Sequence, residues 1–217
     1  MKQALFFASI TTLSLFSCGR REVHSSEKQT INSSANKRND TIKPKKSPYL
    51  NRLELGDYLK KAPKIIPTTS AGTPFDTLNY NQIVAYKYFN TGERNPQVYK
   101  KRLNSLIDVI ENQHAMNQSE ADQFLRLISV QSTYGGMRMA CFEPRLGIVF
   151  YKDGKYINQI SVCMECNYME SSLLIPAYER QKKISESGEY NSDKDYGFSK
   201  KGRNGINQLL KEFKFVE

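Results

Sequence analysis

This sequence predicts an α+β domain, an antiparallel sheet containing a central β-hairpin with two to three packed helices, preceded by a signal peptide and a flexible tether. Three observations predict it. Asp153-Gly154 lies between two β-rich runs and is a strong hairpin signal. Ile206, Leu209, Leu210 and Phe213 fall at i, i+3, i+4 and i+7, the apolar stripe of a helix. Residues 19–46 are polar with few large aliphatics, after a short apolar N-terminus. At 217 residues, 25% charged and 39% hydrophobic, the chain has an ordinary globular balance. With two His, four Cys and no Trp, multi-His metal clusters and Cys-dense scaffolds are excluded.

Lys2 is followed by the apolar run from Ala4 to Phe16, too short to span a bilayer and of the length of a secretory h-region. The run closes on Leu15-Phe16-Ser17-Cys18, which resembles the lipobox of bacterial lipoproteins. The resemblance implies cleavage before Cys18, diacylglycerol (and palmitate-type acylation) on that residue, and a place in the bacterial cell envelope outside the cytoplasm, anchored to a membrane. Several acyl chains on one residue anchor stably where a single chain is marginal. The expected division is therefore a signal peptide over 1–17, a tether over 18–46 and one domain over 47–217.

The tether carries eight Lys and Arg against Glu22, Glu27 and Asp40, a net of +5, whereas residues 47–217 hold 23 basic and 19 acidic residues. A basic stretch beside a lipid anchor can lie on anionic head groups, at about 1 kcal/mol per cation, or act as a solvated spacer. Its cations are not interleaved with aromatic residues, so nucleic acid is not an expected partner. The expected partners are the membrane, through the anchor, and an unknown envelope protein or ligand.

Along the domain, Leu53 to Lys61 reads as a helix ended by Pro63. Residues 65–74 are punctuated by Pro67, Gly72 and Pro74 and read as loop or edge strand. Gln82 to Phe89 is a strand, rich in β-formers and bounded by Asn81 and Asn90. Tyr99, Leu103, Leu106, Ile107 and Ile110 fit helical spacing, although Ile107 and Val109 also alternate as in a strand; a helix is the reading adopted. Ser119, with Asp122 three residues on, is taken as the cap of a helix to Ser129. Residues 185–201 read as a surface loop, and a last helix runs from about Arg203 to Phe213.

The hairpin block, residues 140–166, admits two registers. A two-residue turn makes paired numbers sum to 307 and puts Cys141 opposite Cys166, but sends Ile148 and Phe150 to the face away from Ile160 and Val162. A three-residue loop with Gly154 as a bulge sums to 306 and gathers Leu146, Ile148, Phe150, Ile160, Val162 and Met164 on one face. Pro144 loosens pairing in either case. Both registers bring Cys141 near a second cysteine.

Tyr134-Gly135-Gly136, Cys-Phe-x-Pro-Arg at 141–145, Gly-Ile-Val-Phe-Tyr at 147–151 and Cys-x-x-Cys-Asn at 163–167 together resemble a group of uncharacterised bacterial proteins, many with lipoprotein signals. The resemblance covers about 40 residues and brings no activity with it.

Three uses of the cysteines stay open. One is a disulfide of Cys141 with Cys163 or Cys166, worth about 3 kcal/mol for a loop of some 20 residues, with one thiol left over. Another is a thiolate site for zinc or another thiophilic metal on Cys141, Cys163 and Cys166, with His114, Glu143, Glu165 or water as fourth ligand. The third is redox exchange at Cys163-Met164-Glu165-Cys166. No G-x-S-x-G, P-loop or H-E-x-x-H is present, and His114 reads as a surface cation near a helix end. No catalytic residue is assigned, and a non-catalytic binding or scaffold domain is the leading expectation, ahead of a metal-binding or thiol-redox protein.

Overall fold

The computed structural model describes residues 52–67, 69–89, 97–107, 110–186 and 196–216, all within one compact unit, Lys45–Glu217. The signal segment, Cys18 and the tether lie outside the described residues. The elements run α1 (Arg52–Lys61), β1 (Gln82–Tyr88), β2 (Tyr99–Lys100), β3 (Ser105–Leu106), β4 (Ile110–Ala115), α2 (Gln118–Ser129), β5 (Tyr134–Gly136), β6 (Leu146–Lys152), β7 (Lys155–Cys163), β8 (Tyr168–Ser171), α3 (Pro176–Glu186), β9 (Gly197–Phe198) and α4 (Lys200–Glu212). An antiparallel five-stranded sheet, in the order β4-β1-β6-β7-β8, puts the hairpin strand β6 at its centre. The expected α+β class is the observed one, with four α-helices among the described residues where two to three were expected.

Both faces of this sheet are covered, which is why β1 and β6 are buried almost throughout. Ile83, Ala85, Leu146, Ile148, Phe150, Ile160 and Val162 join the helical core with Phe124, Leu125 and Ile128 of α2 and Ile206 and Leu209 of α4. Val84, Tyr86, Tyr88, Val149 and Tyr151 face a second core closed by Leu55 and Leu59 of α1 and by Tyr99 and Leu106.

The hairpin has the expected two-residue turn, but beyond it neither expected register holds: the paired numbers sum to 308. Asp153 and Gly154 have φ of 50° and 77°, and Lys152 pairs with Lys155, so the turn is the two-residue kind. The register then shifts between Phe150 and Tyr151, so that Phe150 pairs with Asn158 and Ile148 with Ile160. The extra residue sits past the turn rather than at Gly154, and it returns the apolar residues of both strands to one face.

Three readings of the chain are corrected. Tyr99–Lys100 and Ser105–Leu106 are strands joined by a turn, not parts of a helix: Asn104 turns the chain with φ 49°, Tyr99 pairs with Leu106, and Tyr99, Leu106 and Ile110 join the second core. The α2 cap is Asn117, two residues before Ser119: its side chain accepts from the Glu120 N–H while the Glu120 carboxylate accepts from the Asn117 N–H. Gly197 and Phe198, expected in a surface loop, are a buried strand that pairs with Tyr134–Gly136; residues 187–195 lie outside the described residues. The Gly-Gly of the motif has a steric reason here, because a side chain on Gly136 would collide with the Phe198 carbonyl.

Candidate functional site: a three-cysteine centre

The ladder between β6 and β7 ends at Leu146, consistent with Pro144 lacking an N–H, and residues 137–145 run alongside the turn that links β7 to β8. That turn holds two cysteines. Cys163 closes β7, Cys166 follows three residues later, and Asn167, at φ 64°, leads into β8. The turn is clamped from two sides. Asn167 donates to the carbonyls of Met137 (2.7 Å) and Phe198 (2.9 Å), and Arg203 at the start of α4 donates to Asn167 Oδ1 (3.1 Å) and to the Met164 carbonyl. Met139 N–H donates to the Cys166 carbonyl at 2.9 Å, which lays the strand leading to Cys141 against the turn.

All three predicted sulfurs meet here, but not in the expected pairing. Cys163 and Cys166 form the disulfide, with Cα atoms 5.2 Å apart, and Cys141 is the free cysteine among the described residues. The tight turn holds the Cα atoms of its own two cysteines at a separation that a disulfide spans. A loop this short constrains the unfolded chain less, about 2 kcal/mol instead of about 3.

The pair is buried, each cysteine 1% exposed, while Cys141 is exposed. Cys141 Sγ lies 3.4 Å from Cys166 Sγ, within reach of S–H donation. Two backbone donors aim at the pair: Cys166 N–H at Cys163 Sγ (3.0 Å) and Glu143 N–H at Cys166 Sγ (3.3 Å). Donors of this kind favour a thiolate on either sulfur once the bond is opened. Cys163 Sγ lies 3.4 Å from the Glu143 carbonyl oxygen, which can accept its S–H in the reduced state.

An aromatic wall stands beside the sulfurs. Phe142 and Tyr168 rings lie 4.7 Å apart, and the Arg138 guanidinium covers Tyr196 at 4.3 Å and Tyr168 at 5.5 Å. Burial raises the Tyr168 hydroxyl above its ordinary range, and burial likewise raises Glu170, against the pull of Lys182 and Arg138. On another side a pocket of about 160 Å³ is floored by Leu146, Val162, Leu210 and Phe215 and bordered by Glu143 and Met164. It is smaller than common ligand sites and has room for one side chain. A larger cavity of about 550 Å³, lined by Leu55, Tyr99, Asn104 and Tyr156 among others, shares no residue with the cysteine centre.

The expected fourth metal ligands are elsewhere or engaged. His114 is on β4, not at a helix end; its Nε2 lies 2.9 Å from Glu120 Oε2 and its ring stacks on Phe213. Glu165 pairs with Arg145 at 3.6 Å, and Glu143 meets the sulfurs through its backbone. Among the described residues no group of three or more His, Cys, Asp or Glu is placed to hold a metal ion, and two of the three sulfurs are bonded to each other. Arg203, which holds the turn, was missed in the sequence: nothing in a single helical Arg signals that it crosses to a turn 36 residues away.

No family model, curated protein or solved structure matches this chain. No helix among the described residues is long and apolar enough to cross a membrane.

Proposed function

We propose that this chain is a membrane-anchored lipoprotein of the bacterial envelope, held through Cys18 and a basic tether, whose domain passes electrons between an external disulfide and its buried Cys163–Cys166 pair by way of Cys141. The observation that carries this reading is the exposed Cys141 thiol 3.4 Å from Cys166 Sγ, beside a pair that solvent does not reach.

Starting from the reduced pair, the Cys141 thiolate attacks one sulfur of an external disulfide R–S–S–R′ and expels R′S⁻. The Cys166 thiolate then attacks the Cys141 sulfur, expels RS⁻ and leaves Cys141–S–S–Cys166. The Cys163 thiolate attacks the Cys166 sulfur, forms the buried disulfide and releases Cys141 as thiolate. The net change reduces R–S–S–R′ to two thiols and oxidises Cys163 and Cys166 by two electrons, with Cys141 regenerated; run backwards, it oxidises external thiols. The two N–H donors at the pair supply stabilisation for the thiolates that appear along the way.

A second reading, a non-catalytic binding or scaffold domain in which the pair staples a turn, is favoured by the burial of both pair sulfurs and by the Asn167 and Arg203 clamp. The two separate in one experiment. The mature protein, reduced and then exposed to oxidised glutathione, is followed by mass mapping of its disulfides. Exchange predicts that Cys141→Ser slows oxidation of the pair at least tenfold and that Cys166→Ser traps glutathione on Cys141. Unchanged pair oxidation in Cys141→Ser would leave the scaffold. The anchor is checked separately: Cys18→Ser is expected to move the protein from the membrane to the soluble fraction, and retention in the membrane would sink the lipoprotein assignment.

A further inference from the structure

The cavity of about 550 Å³ lies where α1, the turn between β2 and β3 and the tip of the β6–β7 hairpin meet, and its volume is that of a small-molecule site. A second hollow of about 440 Å³ shares Gly56, Leu59 and Gly154 with it, so the two adjoin along α1. The helix contributes apolar surface through Leu55 and Leu59. The strands contribute two stacked rings, Tyr99 and Tyr156, with centroids 4.3 Å apart and planes 10° from parallel. The pair is fixed before any ligand arrives: the Tyr99 hydroxyl donates to Asn104 Oδ1 at 2.6 Å, and its ring meets Tyr151 edge to face. A preset aromatic surface costs little ordering entropy when a ring packs on it.

Two further observations point to a ligand. The first is charge: among the described residues the larger cavity is lined by two cations, Lys101 and Lys155, and by no carboxylate. In the adjoining hollow Lys60 is paired with Asp57 at 3.0 Å and Lys64 with Asp153 at 3.4 Å, whereas Lys101 and Lys155 have no ion-pair partner among the described residues. The second is Gly56, in the middle of α1, where glycine is the weakest helix former after proline. Packing within the protein does not call for it, since a Cβ there would meet no described atom within 4 Å. It lines both hollows, and bare helical backbone in that place lets a ligand approach closely.

We propose that this cleft binds an acidic sugar, a pyranose ring that carries a carboxylate or a phosphate. The C–H face of such a ring packs on the tyrosine pair, and its charge meets the ammonium groups of Lys101 and Lys155. Its hydroxyls accept from the Asn104 amide, whose Oδ1 is already taken by Tyr99. A flat aromatic anion has no hydroxyls to offer Asn104, and a neutral sugar leaves both cations unanswered. Gly56 leaves room for the ring beside α1. The site shares no residue with the three cysteines and does not depend on the exchange chemistry.

The test titrates the mature protein with glucuronate and with glucose-6-phosphate and follows backbone amide NMR shifts, with glucose, benzoate and inorganic phosphate as comparison probes. At least one acidic sugar should bind tenfold or more tighter than every comparison probe and move the amides of Gly56, Gly154 and Lys155. The tighter of the two assigns the anion as carboxylate or phosphate. Lys101→Gln/Lys155→Gln should weaken that binding at least tenfold, to the level of glucose. Gly56→Leu should abolish it while melting no lower than wild type, because leucine is the better helix former and has open space there. Equal binding of glucose, benzoate or inorganic phosphate would overturn the acidic-sugar assignment. Wild-type affinity in Gly56→Leu, shifts confined to other parts of the domain, or no binding of either acidic sugar at millimolar concentration would overturn the site itself.

Discussion

The hydroxyls of Tyr86 and Tyr151 meet at 3.0 Å in the second core, where the two side chains are 0% and 1% exposed. Tyr86→Phe removes one oxygen and leaves the Tyr151 hydroxyl buried without that partner, which costs about 1–3 kcal/mol; Tyr151→Phe leaves the mirror defect at similar cost. The double variant removes both polar atoms and keeps both rings, so it should return close to wild type. The coupling energy is then negative and about as large as the two single losses together. In a domain of this size each kcal/mol shifts Tm by about 2–4 °C, so the singles should melt a few degrees low and the double should not. Thermal and urea unfolding of all four proteins, followed by circular dichroism, measures the cycle. Additive losses, with the double variant the least stable, would show that the hydroxyls do not depend on each other and would refute the pairing argument.

Burial raises Tyr86, Tyr88, Tyr134, Tyr151 and Tyr178 above the ordinary tyrosine range. Below pH about 10 both states hold these protons; above it the unfolded chain releases them and the folded chain does not, so stability falls as pH rises. Absorbance at 295 nm should show these tyrosines ionising only together with loss of structure, and ordinary titration with the fold intact would contradict their burial. Gly202→Ala puts a methyl against the Thr133 carbonyl and its methyl, both within van der Waals overlap, so α4 must shift and a loss above about 1 kcal/mol is expected in urea unfolding. Wild-type stability there would mean that α4 does not approach Thr133 so closely. Asn117→Ala should cost about 1 kcal/mol by the same measurement through loss of the α2 capping box, and no loss would place the cap elsewhere.

The local chemistry of the chain was legible wherever neighbours in sequence decide the outcome. Pro63 ends α1, the β-formers of 82–88 make a strand, Asp153-Gly154 makes the two-residue turn, and the stripe from Ile206 to Leu210 is the buried face of α4. Cysteine proximity was legible too, since any hairpin centred on Gly154 brings residue 141 near 163–166. The strands at 99–106 were not, because Leu103 is an exposed turn residue while Tyr99 and Leu106 are buried by α1 and β6, and periodicity cannot weigh a contact with distant elements.

What the sequence determined by itself is therefore the class of fold, the hairpin, the close approach of the three cysteines and the expectation of a lipid-anchored address. Tertiary structure alone decided the bulge past the turn, which restores a single apolar face, and the partner of each sulfur. A disulfide needs sulfurs held at one distance, and that distance is fixed by the turn that Asn167 and Arg203 clamp from α4 and β9, elements far away in the chain.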